Sequence, residues 1–125
     1  FKSFLVQSDG HLLTVLRYVE ANPLWAKMVT AAQDWPWSSL GRGRQEAKLP
    51  VQLTGWPVDR PGDWLTIVNA PLEEETVESL RTSVSRGRPF GKLGWVNRMV
   101  KRLGLESTVR DPWRPRKKKR RRARK

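Results

Sequence analysis

The sequence has no cysteine, a single histidine and a single tyrosine. The absence of cysteine excludes disulfides and thiolate zinc sites, and it leaves the redox compartment undetermined. No apolar run approaches the roughly 18 residues that a membrane helix needs, and no secretion signal is present. With 125 residues and 38% apolar content, we expect one small domain with a modest core, to which the seven tryptophans contribute much of the buried area.

The net charge of +13 is concentrated at the C-terminus. Residues 110–125 hold 11 basic residues and one acid, whereas residues 1–109 hold 14 basic and 11 acidic residues. A segment with so little apolar surface and so much repulsion is expected to be disordered alone and to bind a polyanion. The candidate phosphate contacts in this tail are Arg114, Arg116, Lys117, Lys118, Lys119, Arg120, Arg121 and Arg122.

Helical periodicity and breaking residues predict a mainly α chain of about five helices, with no strand signal. Ser8 or Asp9 is a plausible N-cap for the first helix. The predicted helices are 10–21, closed by Asn22 and Pro23, then 23–32, 59–68, 72–86 and 93–103. Residues 34–39 are predicted to form a turn whose two indoles pack back onto the first two helices. We divide the chain into residues 1–40, a loop-rich connector at 41–71, a helical region at 72–109 and a tail at 110–125.

Tyr18 lies on the flank of the first predicted helix. The apolar stripe of that helix is predicted to contain Leu12, Val15, Leu16 and Val19, and Tyr18 lies about 100–120° from its centre. His11 and Asn22 fall on the same flank as Tyr18. His11 is about 10 Å along the helix axis from Tyr18, which is too far for direct proton transfer, and we expect it to be a solvated or packing residue. A tyrosine on such a flank can equally be a packing residue, and Asn22 can be a cap.

A second candidate surface lies around the last two helices. Arg86 and Arg88 stand at the junction of these helices, and Val77, Leu80 and Val84 are predicted to form the apolar stripe of the first of them. On the last helix Arg98, Lys101 and Arg102 share a face opposite its apolar stripe. Such a face is equally compatible with phosphate binding and with simple solvation.

Several motifs, in order, resemble the REP-associated tyrosine transposases, bacterial relatives of the single-tyrosine HUH transposases. They are Tyr-Val-Glu-Ala-Asn-Pro-Leu-Trp-Ala at 18–26, Asp-Trp-Pro-Trp-Ser-Ser at 34–39, Pro-Val-Asp-Arg-Pro-Gly-Asp-Trp-Leu at 57–65, Arg-Gly-Arg-Pro-Phe-Gly at 86–91 and Arg-Leu-Gly-Leu-Glu-Ser-Thr at 102–108. The resemblance spans essentially the whole chain. It implies an α+β ferredoxin-like enzyme of which this chain is the C-terminal part.

The resemblance also implies the chemistry. Tyr18 would be the nucleophile that cuts single-stranded, hairpin-forming DNA, and Asn22 would help to ligate a divalent Mg or Mn ion. The family's two metal-binding histidines, which precede the tyrosine helix, have no counterpart in this sequence. We therefore expect this chain to bind no metal and to be inactive alone. A cytoplasmic DNA-binding protein with no membrane partner is expected, and the resemblance allows a homodimer in the intact enzyme.

Two other interpretations of the sequence remain open. The chain could be a non-catalytic nucleic-acid-binding protein that acts through its polybasic tail, with Tyr18 serving only in packing. It could also be a basic RNA-binding or ribosome-associated protein, because a polybasic tail does not distinguish RNA from DNA.

Overall fold

The computed structural model describes residues 2–40 and 55–110. Within these ranges the chain forms five α-helices and one 3₁₀-helix: α1 (Gly10–Trp25), the 3₁₀-helix (Ala32–Asp34), α2 (Trp64–Asn69), α3 (Glu74–Arg86), α4 (Leu93–Leu103) and α5 (Glu106–Val109). No strand forms among these residues, and one parallel bridge joins Val6 to Phe90. The prediction of a mainly α chain is confirmed for the described residues. Residues 41–54 of the predicted connector and residues 111–125 of the predicted tail lie outside them.

Helix α1 is longer than the sequence predicted. It begins at the N-cap Asp9, whose side chain accepts the backbone N–H of His11, and it continues through Asn22 and Pro23 to Trp25. The predicted end at Asn22 and the separate helix at 23–32 are therefore wrong. Pro23 lies in the last turn, where its missing N–H removes a single helical hydrogen bond. The backbone N–H of Ala26 still reaches the Asn22 carbonyl at 2.9 Å.

The buried face of α1 also differs from the predicted stripe. Glu20 and Ala21 are buried, and Leu13, Leu16 and Leu24 pack against the core. Val19, which was predicted to belong to the stripe, is 58% exposed. At 100° per residue the observed face is rotated by roughly 110° from the predicted one. The prediction failed because it counted apolar residues only, whereas a carboxylate occupies the middle of the buried face.

The first core lies between α1, the 3₁₀-helix and α2. Its buried residues are Ala21, Ala32, Trp64 and Val68. The Asn69 side chain joins two of these elements, because its Oδ1 accepts the Ala32 N–H at 2.9 Å.

Helix α2 begins later than predicted, at Trp64, since residues 61–63 form a turn in which the Trp64 N–H donates to the Pro61 carbonyl.

The predicted packing of both indoles of the 34–39 turn is wrong for one of them. Trp35 is half-buried, but Trp37 is 76% exposed. The turn itself forms, with the backbone N–H of Ser38 donating to the Trp35 carbonyl at 3.2 Å.

The second core lies between α3, α4 and the extended segment 3–7. Phe90 pairs with this segment: its N–H donates to the Leu5 carbonyl at 2.8 Å, and its carbonyl accepts the Gln7 N–H at 3.0 Å. The buried side chains of this core are Leu80, Ser83, Pro89, Phe90, Val96 and Val100. The predicted stripe of α3 is wrong at Val84, which is 38% exposed, because Ser83 takes the buried position.

Left-handed glycines end α3 and α4. Gly87 and Gly104 have φ values of 71° and 65°, a conformation that L side chains adopt at a cost. The predicted break after Arg86 and the predicted end of the last helix at Gly104 are both confirmed. Helix α5 was not predicted as a separate element.

We predict that Gly91→Ala destabilises the protein by about 1–3 kcal/mol, the usual cost of overpacking. A Cβ atom at this position would lie 2.7 Å from Trp95 Cε3 and 2.8 Å from Gln7 Oε1. The measurement is the free energy of unfolding in denaturant.

The matched control for this change is Gly94→Ala, in the first turn of α4. Its Cβ would meet only Arg98 Nη1, at 3.8 Å, so this variant should gain about 0.5–1 kcal/mol from helix propensity. Equal stability changes for the two variants would contradict the close approach at Gly91.

Candidate nucleic-acid interface

Tyr18 lies on the side of α1 that faces away from Glu20. The two residues are separated by about 160° around the helix, and the Tyr18 side chain is half-buried. Its ring packs edge-on against Trp25, with centroids 5.5 Å apart. Because Trp25 packs against the first core, the Tyr18 ring lies at the margin of that core.

The other two residues of the predicted flank differ from each other. Asn22 is exposed one turn after Tyr18. His11 is engaged by its neighbours, since its Nδ1 lies 2.7 Å from Asp9 Oδ1 and its ring packs edge-on against Phe90 at 5.4 Å. Of the two predicted alternatives for His11, a solvated or a packing residue, these contacts fit the packing one.

The described residues do not fit a divalent metal site at Tyr18. No group of three or more His, Asp and Glu side chains in residues 2–40 and 55–110 could hold a metal ion. The Asn22 amide oxygen alone is too small a ligand set for Mg²⁺ or Mn²⁺, which require several oxygen ligands.

Residues on either side of Tyr18 fix α1 in place. The Arg17 guanidinium donates from Nη2 to the carbonyl oxygens of Ala70 and Pro71, at 3.0 and 2.8 Å. The Glu20 carboxylate accepts the Trp64 indole N–H at 2.6 Å and the Ser39 hydroxyl. Arg17 therefore ties α1 to the C-terminal end of α2, and Glu20 ties it to Trp64 at the start of α2.

Sequence reasoning missed both of these anchoring residues. One signal could have found Glu20: it is spaced three to four residues from apolar positions that run through Leu13, Leu16 and Leu24, so it interrupts a helical stripe. A charged residue at such a position is rarely buried without partners. Here its partners are neutral donors from elements distant in sequence.

The predicted basic face of α4 is present. Arg98, Lys101 and Arg102 are exposed, on the side opposite the buried Val96 and Val100. Arg86 and Arg88 are half-buried at the junction of α3 and α4. The two groups therefore differ in exposure: the three cations of α4 are exposed to solvent, whereas the two arginines at the junction are half-buried.

A polar cleft of about 340 Å³ lies between the N-terminal halves of α1 and α3, and we name it the α1–α3 cleft. Sequence reasoning did not find it. Its lining residues are His11, Thr14, Glu75, Thr76, Ser79, Phe90 and Gly91. Thr14 lies one turn before Tyr18 on the same flank of α1, so the cleft and the phenol are neighbours along the helix.

The predicted tail contacts Arg114, Arg116, Lys117, Lys118, Lys119, Arg120, Arg121 and Arg122 lie outside the described residues. None of the helices in the described part of the chain is both long enough and apolar enough to cross a membrane.

No protein-family model, curated protein or solved structure matches this chain. The resemblance to the REP-associated tyrosine transposases therefore rests on the sequence motifs alone.

We predict that Glu20→Gln destabilises the protein by about 1–3 kcal/mol, because an amide offers one acceptor oxygen where the carboxylate serves two buried donors. The measurement is the free energy of unfolding at neutral pH. Glu78→Gln removes the same charge at an exposed position of α3 and should change stability little. Equal effects of the two substitutions would show that the buried contacts of Glu20 contribute nothing.

Proposed function

We propose that this chain is part of a REP-associated tyrosine transposase, an enzyme that cuts and rejoins single-stranded, hairpin-forming repeat DNA. The placement of Tyr18 is the observation that carries the proposal. Tyr18 lies half-buried on the flank of an anchored helix, on the side away from the buried Glu20, with Asn22 exposed one turn later. The motifs that resemble the family's support the same assignment.

In the proposed reaction the Tyr18 phenolic oxygen attacks a backbone phosphorus atom. An Oη–P bond forms and the P–O3′ bond breaks. The phenol loses its proton to solvent, and the departing 3′-oxygen takes a proton from solvent, so the strand leaves with a free 3′-hydroxyl. A protonated phenol is a weak nucleophile and needs activation by neighbouring groups. The described residues around Tyr18 position it, through Trp25 and the anchors at Arg17 and Glu20.

We propose that this 125-residue chain binds DNA and does not cut it unaided. Family enzymes hold a divalent metal with paired histidines, and His11 is the only histidine of the sequence. The exposed Val19, with Leu12 and Val15 on the same side of α1, supports an origin in a larger ferredoxin-like domain, where such helices pack on a sheet. A bacterial cytoplasmic enzyme, with Mg or Mn and a homodimeric assembly, belongs to the same proposal.

A second candidate function is non-catalytic nucleic-acid binding. The exposed face formed by Arg98, Lys101 and Arg102 favours it, since three cations spaced over one helical face can contact successive phosphates without reading sequence. In this alternative Tyr18 is structural, and α4 acts together with the basic tail at 110–125. RNA would serve as well as DNA as the partner.

We predict that the protein from the complete reading frame forms a covalent adduct with labelled single-stranded hairpin DNA in the presence of Mn²⁺. The adduct should survive denaturation, because it is a phosphotyrosine ester, and Tyr18→Phe should abolish it. Denaturing gel electrophoresis measures it.

Two comparisons make this experiment decisive. Trp37→Phe, a change at an exposed ring outside the Tyr18 flank, should leave the adduct unchanged. An adduct that persists in Tyr18→Phe, or the absence of any adduct from the complete frame, would exclude Tyr18 as the nucleophile.

We predict that Lys101→Ala lowers the slope of log affinity against log salt concentration by about one, the effect of losing one phosphate contact. The measurement is fluorescence anisotropy with hairpin DNA over a series of salt concentrations. Arg81→Ala is the matched control, since it removes one exposed charge from α3.

The same assay separates the contributions of α4 and of the basic tail to nucleic-acid binding. Deleting residues 114–125 should lower the slope by several units if the tail binds phosphates. An unchanged slope in both Lys101→Ala and the deletion would rule out phosphate binding by α4 and by the tail.

A further inference from the structure

The α1–α3 cleft contains an imidazole whose tautomer is set by its neighbour. The backbone N–H and the side chain of His11 both hydrogen-bond to Asp9 and hold the pKa of that carboxyl below its ordinary value. The ionised Asp9 can only accept hydrogen bonds. The Nδ1 of His11 lies 2.7 Å from Asp9 Oδ1 and donates to it, so Nε2 is the ring nitrogen that remains for a ligand.

Two of the other polar groups of the cleft, Thr14 and Glu75, are available as hydrogen-bond acceptors. The Thr14 hydroxyl donates its proton to the Gly10 carbonyl at 2.9 Å, so its lone pairs are what it can offer to a ligand. Glu75 adds a carboxylate, which is an acceptor when ionised. Ser79 and Thr76 are the adaptable members, since a hydroxyl can donate or accept. A phosphate would meet the Glu75 carboxylate here, which repels it when ionised.

We propose that the α1–α3 cleft binds a nucleobase through its exocyclic amino group, as carried by cytosine, adenine and guanine, and discriminates against thymine. This inference rests on the proposed function, because it takes single-stranded DNA as the ligand. An amino group supplies hydrogen-bond donors, which complement the Glu75 carboxylate and the lone pairs of the Thr14 hydroxyl in the cleft.

The size and position of the cleft fit a base next to the reacting phosphate. Its volume of about 340 Å³ lies at the lower end of the range for small-molecule sites. Thr14, which lines it, precedes Tyr18 by one turn, or about 6 Å along the helix axis. The Phe90 ring, which packs against His11, also lines the cleft and provides an apolar surface for the base.

The composition of the chain makes this inference directly testable. His11 is the only histidine and Tyr18 the only tyrosine, so each gives a single set of ring signals in an NMR spectrum. We would titrate the full chain with oligodeoxycytidine and with oligothymidine of equal length, in the same buffer. We expect about tenfold tighter binding of the cytidine oligomer, the effect of about one charge-assisted hydrogen bond. The ring signals of His11 should move with that oligomer only.

The matched variants are Glu75→Ala and Glu78→Ala. Both remove one negative charge from α3, so both should strengthen binding to any polyanion to a similar extent. Only Glu75 lines the cleft. We therefore expect the ratio of cytidine to thymidine affinity to fall toward one in Glu75→Ala and to remain unchanged in Glu78→Ala.

The possible outcomes separate this inference from the proposed function. Equal affinity for the two oligomers, with unmoved His11 signals, would overturn the amino-group site and leave single-stranded DNA binding intact. Equal changes of the affinity ratio in the two variants would also overturn it. Failure to bind either oligomer at low salt would overturn both the site and the proposed function.

Discussion

The buried carboxylate of Glu20 determines how α1 is oriented. It is 6% exposed, and the hydrogen bonds that compensate its burial come from Trp64 on α2 and from Ser39 after the 3₁₀-helix. An ionised group without such donors would be too costly to bury. Rotating α1 about its axis would break both contacts at once, so they fix which residues face the core and direct Tyr18 to the opposite side. The position of the candidate site is thus a consequence of a packing interaction.

Arg17 adds a second constraint on the same helix. Its guanidinium donates to two successive carbonyls, those of Ala70 and Pro71, at the C-cap of α2 and just after it. Its Nε is buried without a hydrogen-bond partner, which shows that the side chain is held by packing as well as by its two acceptors. The chain then turns into α3, whose N-terminal half lines the α1–α3 cleft together with His11 and Thr14 of α1.

Local signals in the sequence were sufficient for part of the fold. Gly87 and Gly104 have positive φ values and end α3 and α4. This signal is independent of how the two helices pack, so these boundaries were predictable. The N-cap Asp9 is likewise a local feature. The rotation of α1 was not predictable from apolar periodicity, because its central buried residue is charged and its donors are distant in sequence. Pro23 led to the prediction that α1 ends too early. In the final turn of a helix a proline removes only one hydrogen bond, so its free-energy cost there is small. The cleft combines residues from three segments and has no local signature.

The charges of the described helices are arranged so that phosphate and base recognition would fall to different surfaces. The exposed cations of α4 lie on the side opposite its buried residues, and they can neutralise phosphates without distinguishing sequence. The α1–α3 cleft offers acceptors and a carboxylate, which repel phosphate but complement an amino group. A strand held by such a protein would be bound mainly by α4 and selected mainly at the cleft. Because Tyr18 shares a helix flank with the cleft residue Thr14, selection would then take place next to the phenol, where a reacting phosphate must be positioned.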